Sequence, residues 1–338
     1  MTQSKGFELI IYHVDSHGIL LLTPGRCVKL KTKDLLSIAD LSATETEKLI
    51  AKALEIKRGP TPQLLSDKIL VLIFEKPSLR TRVSFEVAIH QLGGYCFYLS
   101  PDEVGLGKRE PVSDVARVLS RYVHGIIART FSHQTLQMLA HYSSVPVINA
   151  LSDLEHPCQA LADIVTIHEK KGKLKGLNLA FIGDGNNVAH SLLLAAAQTG
   201  INFRIASPPG YAVKDEIVQA AKGFTAHSGS QVLLTEKPEQ AVKDADVVYT
   251  DVWTSMGQEV EAEQRHKAFA GYQIDYRLLS LAKKDAIFMH PMPAHHGEEV
   301  AVGFLDSPCS VVFDQAENRL HLQKALLAEI FGKAGRTR

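Results

Sequence analysis

Ser78, Arg80, Thr81 and Arg82 crowd into residues 74–86 (FEKPSLRTRVSFE), where an apolar run ends and a helical pattern begins. A helix N-terminus presents unpaired backbone N–H groups and the positive end of its dipole. Two hydroxyls and two guanidiniums added there make a binding site for a phosphate-sized dianion. The plainer alternative is a helix capped by Ser78 with both arginines solvated. It is not a Walker loop, because the GxxxxGK[ST] pattern is missing.

Three other clusters carry chemistry. Asp251 follows the run VVYT and so sits at the carboxyl end of a strand, where open α/β sheets bind ligands. With the hydroxyls of Thr254 and Ser255 close behind, that carboxylate suits an ammonium group. Residues 183–187 (GDGNN) follow the strand-like LNLAFI, but the third glycine position of a dinucleotide fingerprint holds Val188. Ser207 stands where a ribose-binding acid belongs. No nucleotide cofactor is expected, and either Asn187 meets a ligand or Asn186 and Asn187 only make the turn. Residues 290–300 (HPMPAHHGEEV) hold three histidines and two glutamates, yet fit no HExxH pattern, and two prolines break any aligning helix. No metal is expected there.

Positioning these groups takes more than one core. The chain has 338 residues, which points to two α/β domains. Lysine plus arginine equals aspartate plus glutamate, 37 each, so no global field favours nucleic acid or a membrane surface. An anion must be held by a local cluster. Cys27, Cys96, Cys158 and Cys309 form no CxxC pair, which argues against a zinc site or a secreted disulfide scaffold and suits a reducing cytosol. No apolar run reaches the roughly 18 residues of a membrane span. No signal peptide is read in residues 1–30, which look like an extension.

From Lys31 onward β-branched runs alternate with helical periods, the signature of doubly wound parallel sheets covered by helices. Helices are expected at 43–57, where Ser42 and Glu45 make a capping box, after the strand 68–74, and at 133–142. Strands are expected at 125–128, 145–148, 177–182, 202–206, 232–234, 247–250 and 286–289. A domain boundary falls in or beside a helix at 156–170, and a last helix is expected from Asn318 to Phe331. The division is 31–155, 156–317, and a C-terminal helix at 318–338 packing back on the first domain.

SLRTR resembles the S-x-R-T-R carbamoyl phosphate motif of the aspartate/ornithine carbamoyltransferase superfamily. Four further segments match in order: Arg129-Thr-Phe, His156-Pro-Cys-Gln159, Asp184-Gly-Asn-Asn187 and residues 251–257 (DVWTSMG). The resemblance covers nearly everything from Lys31 to Gly332. It implies that Ser78, Leu79, Arg80, Thr81, Arg129, His156, Gln159, Pro291 and Arg319 contact carbamoyl phosphate. Arg80, Arg129, His156 and Arg319 would stabilise the oxyanion, and Gln159 would orient the carbamoyl NH2. His156 could serve as a cation or an N–H donor, or be a structural histidine at a helix start. Arg319 has the alternative of a solvated arginine at the start of the last helix.

For the acceptor, the resemblance implies ornithine contacts from Asn187, Asp251, Ser255, Met256, Pro291 and Met292, with the SMG loop closing as a lid. The RxQ pattern of aspartate-specific relatives is missing here. Two departures stand out. The family's HCLP is HPMP in this chain, which leaves open a different amine acceptor. Gly105 replaces a glutamine or histidine that reaches a neighbouring subunit's site in several members, with Lys108 or Arg109 as substitutes. The resemblance further implies carbamoyl transfer to ornithine in cytoplasmic arginine biosynthesis, no cofactor, and a homotrimer; a non-catalytic carbamoyl phosphate-binding regulator is the remaining alternative.

Overall fold

The computed structural model describes residues 30–332 except Met256, and the backbone of a small antiparallel ribbon, β1 (His13–Val14) with β2 (Leu20–Leu21). Other expectations for residues 1–29 lie outside the described residues. The first sheet comprises β3 (Ile69–Phe74), β4 (Tyr95–Leu99), β5 (Gly125–Arg129) and β6 (Val147–Leu151), all parallel in the order β4-β3-β5-β6. β3 and β5 are buried almost throughout, because helices cover both faces of a parallel sheet. These are α1 (Ala43–Arg58), α2 (Leu79–Gln91), the short α3 (Pro101–Val104), α4 (Val112–Tyr122) and α5 (His133–Tyr142). Ser42 and Glu45 form the expected capping box on α1.

The second sheet comprises β7 (Asn178–Ile182), β8 (Asn202–Ala206), β9 (Val232–Thr235), β10 (Val247–Thr250) and β11 (Ile287–Met289). It is parallel in the order β11-β10-β7-β8-β9. Its helices are α6 (Pro157–Lys171), α7 (Asn187–Thr199), α8 (Asp215–Ser228), α9 (Pro238–Val242), α10 (Ala262–Ala268) and α11 (Tyr276–Leu279). The last helix, α12 (Val312–Phe331), packs on α1, α2 and α6. One apolar cluster runs from Leu72 and Phe74 through Leu161 and Leu326 to Leu179 and Tyr249, so both sheets share a continuous core around α6 and α12. Among the described residues no helix is long and apolar enough to cross a membrane.

Two expectations are corrected. α12 begins at Val312, not after Asn318. Asn318 reads as a cap by composition, but its amide is buried inside the helix and donates to Thr166 Oγ1 at 3.0 Å and Glu169 Oε2 at 2.9 Å. β4 was not expected; it lies at the sheet edge with Tyr95 and Phe97 exposed and Cys96, Tyr98 and Leu99 half-covered.

Candidate active site

The carboxyl ends of both sheets open onto one cleft of about 720 Å3. The first sheet contributes the loop after β3 into α2, Arg129 and Phe131 after β5, and Asp153 after β6. The second contributes residues 184–188 after β7, Asp251 and its loop after β10, and Pro291–Pro293 after β11. Of the fourteen residues expected at the site, Ser78, Leu79, Arg80, Thr81, Arg129, His156, Gln159, Asn187, Asp251, Ser255, Pro291, Met292 and Arg319 all line it. Met256 lies outside the described residues.

One part of the cleft gathers cations and suits an anion. Ser78 caps α2, accepting from the Thr81 N–H at 3.3 Å. The N–H groups of Leu79 and Arg80 precede the first intrahelical bond and suit an anion. Arg319 reaches in from α12 and donates through Nη2 to Thr81 Oγ1 at 2.7 Å. It is buried, not a solvated helix-start arginine. Arg129 and Arg319 each keep an unpartnered buried Nε, and neither they nor Arg80 form an ion pair among the described residues. Burial pulls Arg319 down to about 10. Burial, then Arg319 and Arg80, pulls Arg129 down to about 10. Three guanidiniums with no ion-pair partner repel one another, which suits the spot to a dianion.

Beside them, His156 is the N-cap residue of α6, and its backbone N–H donates to Ser191 Oγ at 2.9 Å. Burial, then Arg319 and Arg129, hold its imidazole well below the usual range. These surroundings favour the neutral ring, and its Nδ1 is buried without a partner. Gln159 sits in the first turn of α6. Its Nε2 donates to Asp163 Oδ1 at 2.8 Å, and its Oε1 is buried without a partner. A carbonyl oxygen so placed wants an N–H donor.

Another part is anionic. Asp251 is buried, with Oδ2 accepting from Asn186 Nδ2 at 2.8 Å and Oδ1 from the Val252 N–H at 2.8 Å. Burial raises its carboxyl above the usual range. A desolvated carboxylate with no ion-pair partner among the described residues suits an ammonium. Asn187 Nδ2 donates to Ser152 O at 2.6 Å. Ser255 is held by its N–H to Gln258 Oε1 at 3.0 Å. Met292, at φ 62°, donates its N–H to His290 Nδ1 at 2.9 Å, and His290 N–H donates to Gln315 Oε1 at 2.8 Å. A grouping of His295, Glu298 and Glu299, with ligand-type atoms within 4.8 Å of one another, lies on the same loop.

Residues 33–169 match the model of the aspartate/ornithine carbamoyltransferase carbamoyl-P binding domain, and residues 175–330 match that of its Asp/Orn binding domain. The chain belongs to the aspartate/ornithine carbamoyltransferase family. It is 53% identical over 301 residues to an ornithine carbamoyltransferase of Bacillus subtilis, covering 89% of this chain and 94% of the relative. To one of Anoxybacillus flavithermus it is 52% identical over 307 residues, covering 90% and 98%. The solved structure of the Pyrococcus furiosus ornithine carbamoyltransferase superposes with a TM-score of 0.87 at 50% identity, covering 90% of this chain and 98% of that one.

Within this carbamoyltransferase fold one expectation fails. Arg82 does not join the anion site: its Nε donates to Glu86 Oε1 at 2.9 Å and its guanidinium lies 3.8 Å from the Tyr98 ring centroid. Residues two apart on a helix point to different sides. Arg109 Nη1 donates to Glu103 O at 3.2 Å. Gly105 caps α3 in the left-handed region at φ 55°, a reason for glycine there. Other cleft residues escaped the sequence reading. Lys76 lies 4.6 Å from the Phe131 ring centroid, its ammonium pulled below the usual range first by burial and then by Arg129. Arg265 bridges Asp184 Oδ2 at 2.8 Å and Trp253 O at 3.0 Å, tying the turn after β7 to the loop after β10. Asn186, weighed only as a turn residue, caps α7 through Oδ1 while steadying Asp251.

Proposed function

We propose that this chain is an ornithine carbamoyltransferase, converting carbamoyl phosphate and L-ornithine to L-citrulline and phosphate. One observation carries the reading: a single cleft sets three arginines without ion-pair partners against a buried carboxylate, with the unpartnered Gln159 carbonyl among its lining. A phosphate dianion suits the first, an amino acid's ammonium the second, and a carbamoyl NH2 the third. Relatives above 50% identity bearing that name support it.

In this reading carbamoyl phosphate binds first, its phosphate at Ser78, Arg80, Thr81 and Arg129 and the N–H groups of α2. Gln159 Oε1 accepts from the carbamoyl NH2. Ornithine follows, its α-amine and α-carboxylate held by Asn187, Asp251, Ser255 and Met256, with Pro291 and Met292 along its side chain. A primary amine of pKa about 10.4 is neutral on the order of once in a thousand molecules at pH 7. The arginine-rich, desolvated site favours that neutral form. The amine attacks the carbamoyl carbon and the oxyanion develops beside Arg80, neutral His156 and Arg319. The bond from carbon to the phosphate oxygen then breaks, the attacking nitrogen releases a proton, and phosphate leaves. A homotrimer with the site at a subunit border accompanies this reading, supported by apolar exposure at Leu79, Tyr95 and Phe97 on α2 and the edge strand β4. Sedimentation of a trimer is expected, and a stable monomer with full activity would contradict it.

The test is product balance. Purified protein given both substrates should form citrulline and phosphate in equal amounts, above spontaneous breakdown of carbamoyl phosphate. Phosphate release without citrulline would contradict the reading.

A further inference from the structure

Gln159 can hold a carbamoyl NH2 only if its amide faces one way, and a glutamine amide turned over is nearly the same shape. The side chain that decides the matter is Asp163, one turn further along α6 and fully buried. Its Oδ1 accepts from Gln159 Nε2 at 2.8 Å and from Gln315 Nε2 at 2.8 Å, and its Oδ2 from Tyr249 OH at 2.9 Å. Turning the Gln159 amide over would set two acceptor oxygens against each other and leave a buried NH2 group with no acceptor. We infer that Asp163 is a positioning residue: it locks the Gln159 carbonyl toward the acyl group of the substrate, and so makes the enzyme prefer a carbamoyl group over an acetyl-type group. The inference rests on the carbamoyl phosphate reading above.

Two features extend it. Gln315 also accepts the His290 N–H at 2.8 Å, so the same carboxylate bears on the loop that carries Pro291 and Met292. Burial pushes the Asp163 carboxyl up to about 7, against the pull of its three donors and Arg319. A proton on Oδ2 still leaves Oδ1 accepting from both amides. Asparagine with its oxygen at the Oδ1 position preserves that pattern, whereas leucine removes it.

Two stable analogues separate the amide contact from everything else. Phosphonoacetamide and acetonylphosphonate share phosphonate, methylene and carbonyl, and differ in NH2 against CH3. Their dissociation constants are measured by calorimetry on the full-length wild type, Asp163→Asn and Asp163→Leu, with inorganic phosphate alongside. The ratio of the two constants does not depend on the fraction of folded protein. Wild type should bind the amide at least about tenfold more tightly than the ketone, because the ketone leaves Gln159 Oε1 unpaired. Asp163→Asn should keep that preference within about threefold, and Asp163→Leu should lose it while binding phosphate within about threefold of wild type. If Asp163→Leu does not accumulate, Asp163→Ala carries the same expectation. A preference retained in the leucine or alanine variant, or lost equally in the asparagine variant, would overturn the positioning role. Wild type that binds neither analogue nor phosphate would instead overturn the carbamoyl phosphate reading.

Discussion

Replacing Arg80 with alanine should separate chemistry from stability. The side chain is half-buried in the first turn of α2, lines the cleft, and makes no ion pair or side-chain hydrogen bond among the described residues. A cation there opposes the helix dipole and repels Arg129, whose guanidinium Arg80 helps pull down. Alanine is also the better helix former. The fold should therefore lose nothing, with a melting temperature within about 2 °C of wild type. The transition state should lose a preorganised donor aimed at phosphate and at the developing oxyanion. Such a donor is worth about 3–4 kcal/mol, or about 100- to 1000-fold in kcat/KM. Initial rates of citrulline formation across carbamoyl phosphate concentrations, paired with a thermal melt, measure both. Arg80→Lys should recover only part of the loss, since an ammonium keeps the charge without the fork. A correctly folded alanine variant within tenfold of wild-type kcat/KM would refute the anion-site argument.

Other expectations concern protons and anions. Turnover should rise between about pH 6 and 8.5 as the ornithine side-chain amine loses its proton. Burial and the neighbouring arginines hold the His156 imidazole well below its usual range, so no separate His156 step is expected; a flat profile with chemistry limiting the rate would contradict this. Burial raises the Asp163 carboxyl from 3.8 to about 7, so the native state holds that proton more tightly than the unfolded chain. Its favourable contribution is complete below the unfolded value and is lost as pH climbs to about 7. The melting temperature of Asp163→Asn relative to wild type should therefore improve between about pH 4 and 8, and the opposite drift in paired melts would count against it. Inorganic phosphate at about 100 times its dissociation constant should stabilise the enzyme by about 2.7 kcal/mol. In a melt at a fixed phosphate concentration, most of that gain should vanish in Arg129→Ala; an equal gain would place the phosphate elsewhere.

What could be read in the sequence was what lies close together along it. The proposed anion site spans a strand end and the first turn of one helix, so residue types and dipole are enough to point to it. Arg82 was misassigned because spacing along the chain was weighed without the helical angle that turns it toward Tyr98. A solvated Arg319 stayed an alternative because the start of α12 has no side-chain cap to announce it; burial of Val312, Gln315 and Asn318 against the rest of the fold carries the helix further toward its N-terminus than local signals do. The bonds joining Asp163 to Tyr249 and Gln315 link positions 86 and 152 residues apart, and no local pattern marks them. The same holds for Arg265 and Asp184, which are 81 apart. The two-sheet architecture was legible because fully buried parallel strands read as continuous apolar runs, whereas β4, half-covered at an edge, does not.

Acceptor choice tests the central claim most directly, because proline stands at position 291 where the family has cysteine, and Pro291 lines the cleft. Purified enzyme should be given carbamoyl phosphate with ornithine, putrescine, lysine, N-acetylornithine or aspartate, and kcat/KM compared. Clear preference for ornithine is the expected result: on the proposed reading Asp251 and the loop after β10 would hold the α-amino acid end, and Pro291 would be a tolerated variation. Preference for another amine would move specificity to the HPMP segment, and no turnover on any acceptor would contradict the assignment of this cleft as a carbamoyltransferase active site.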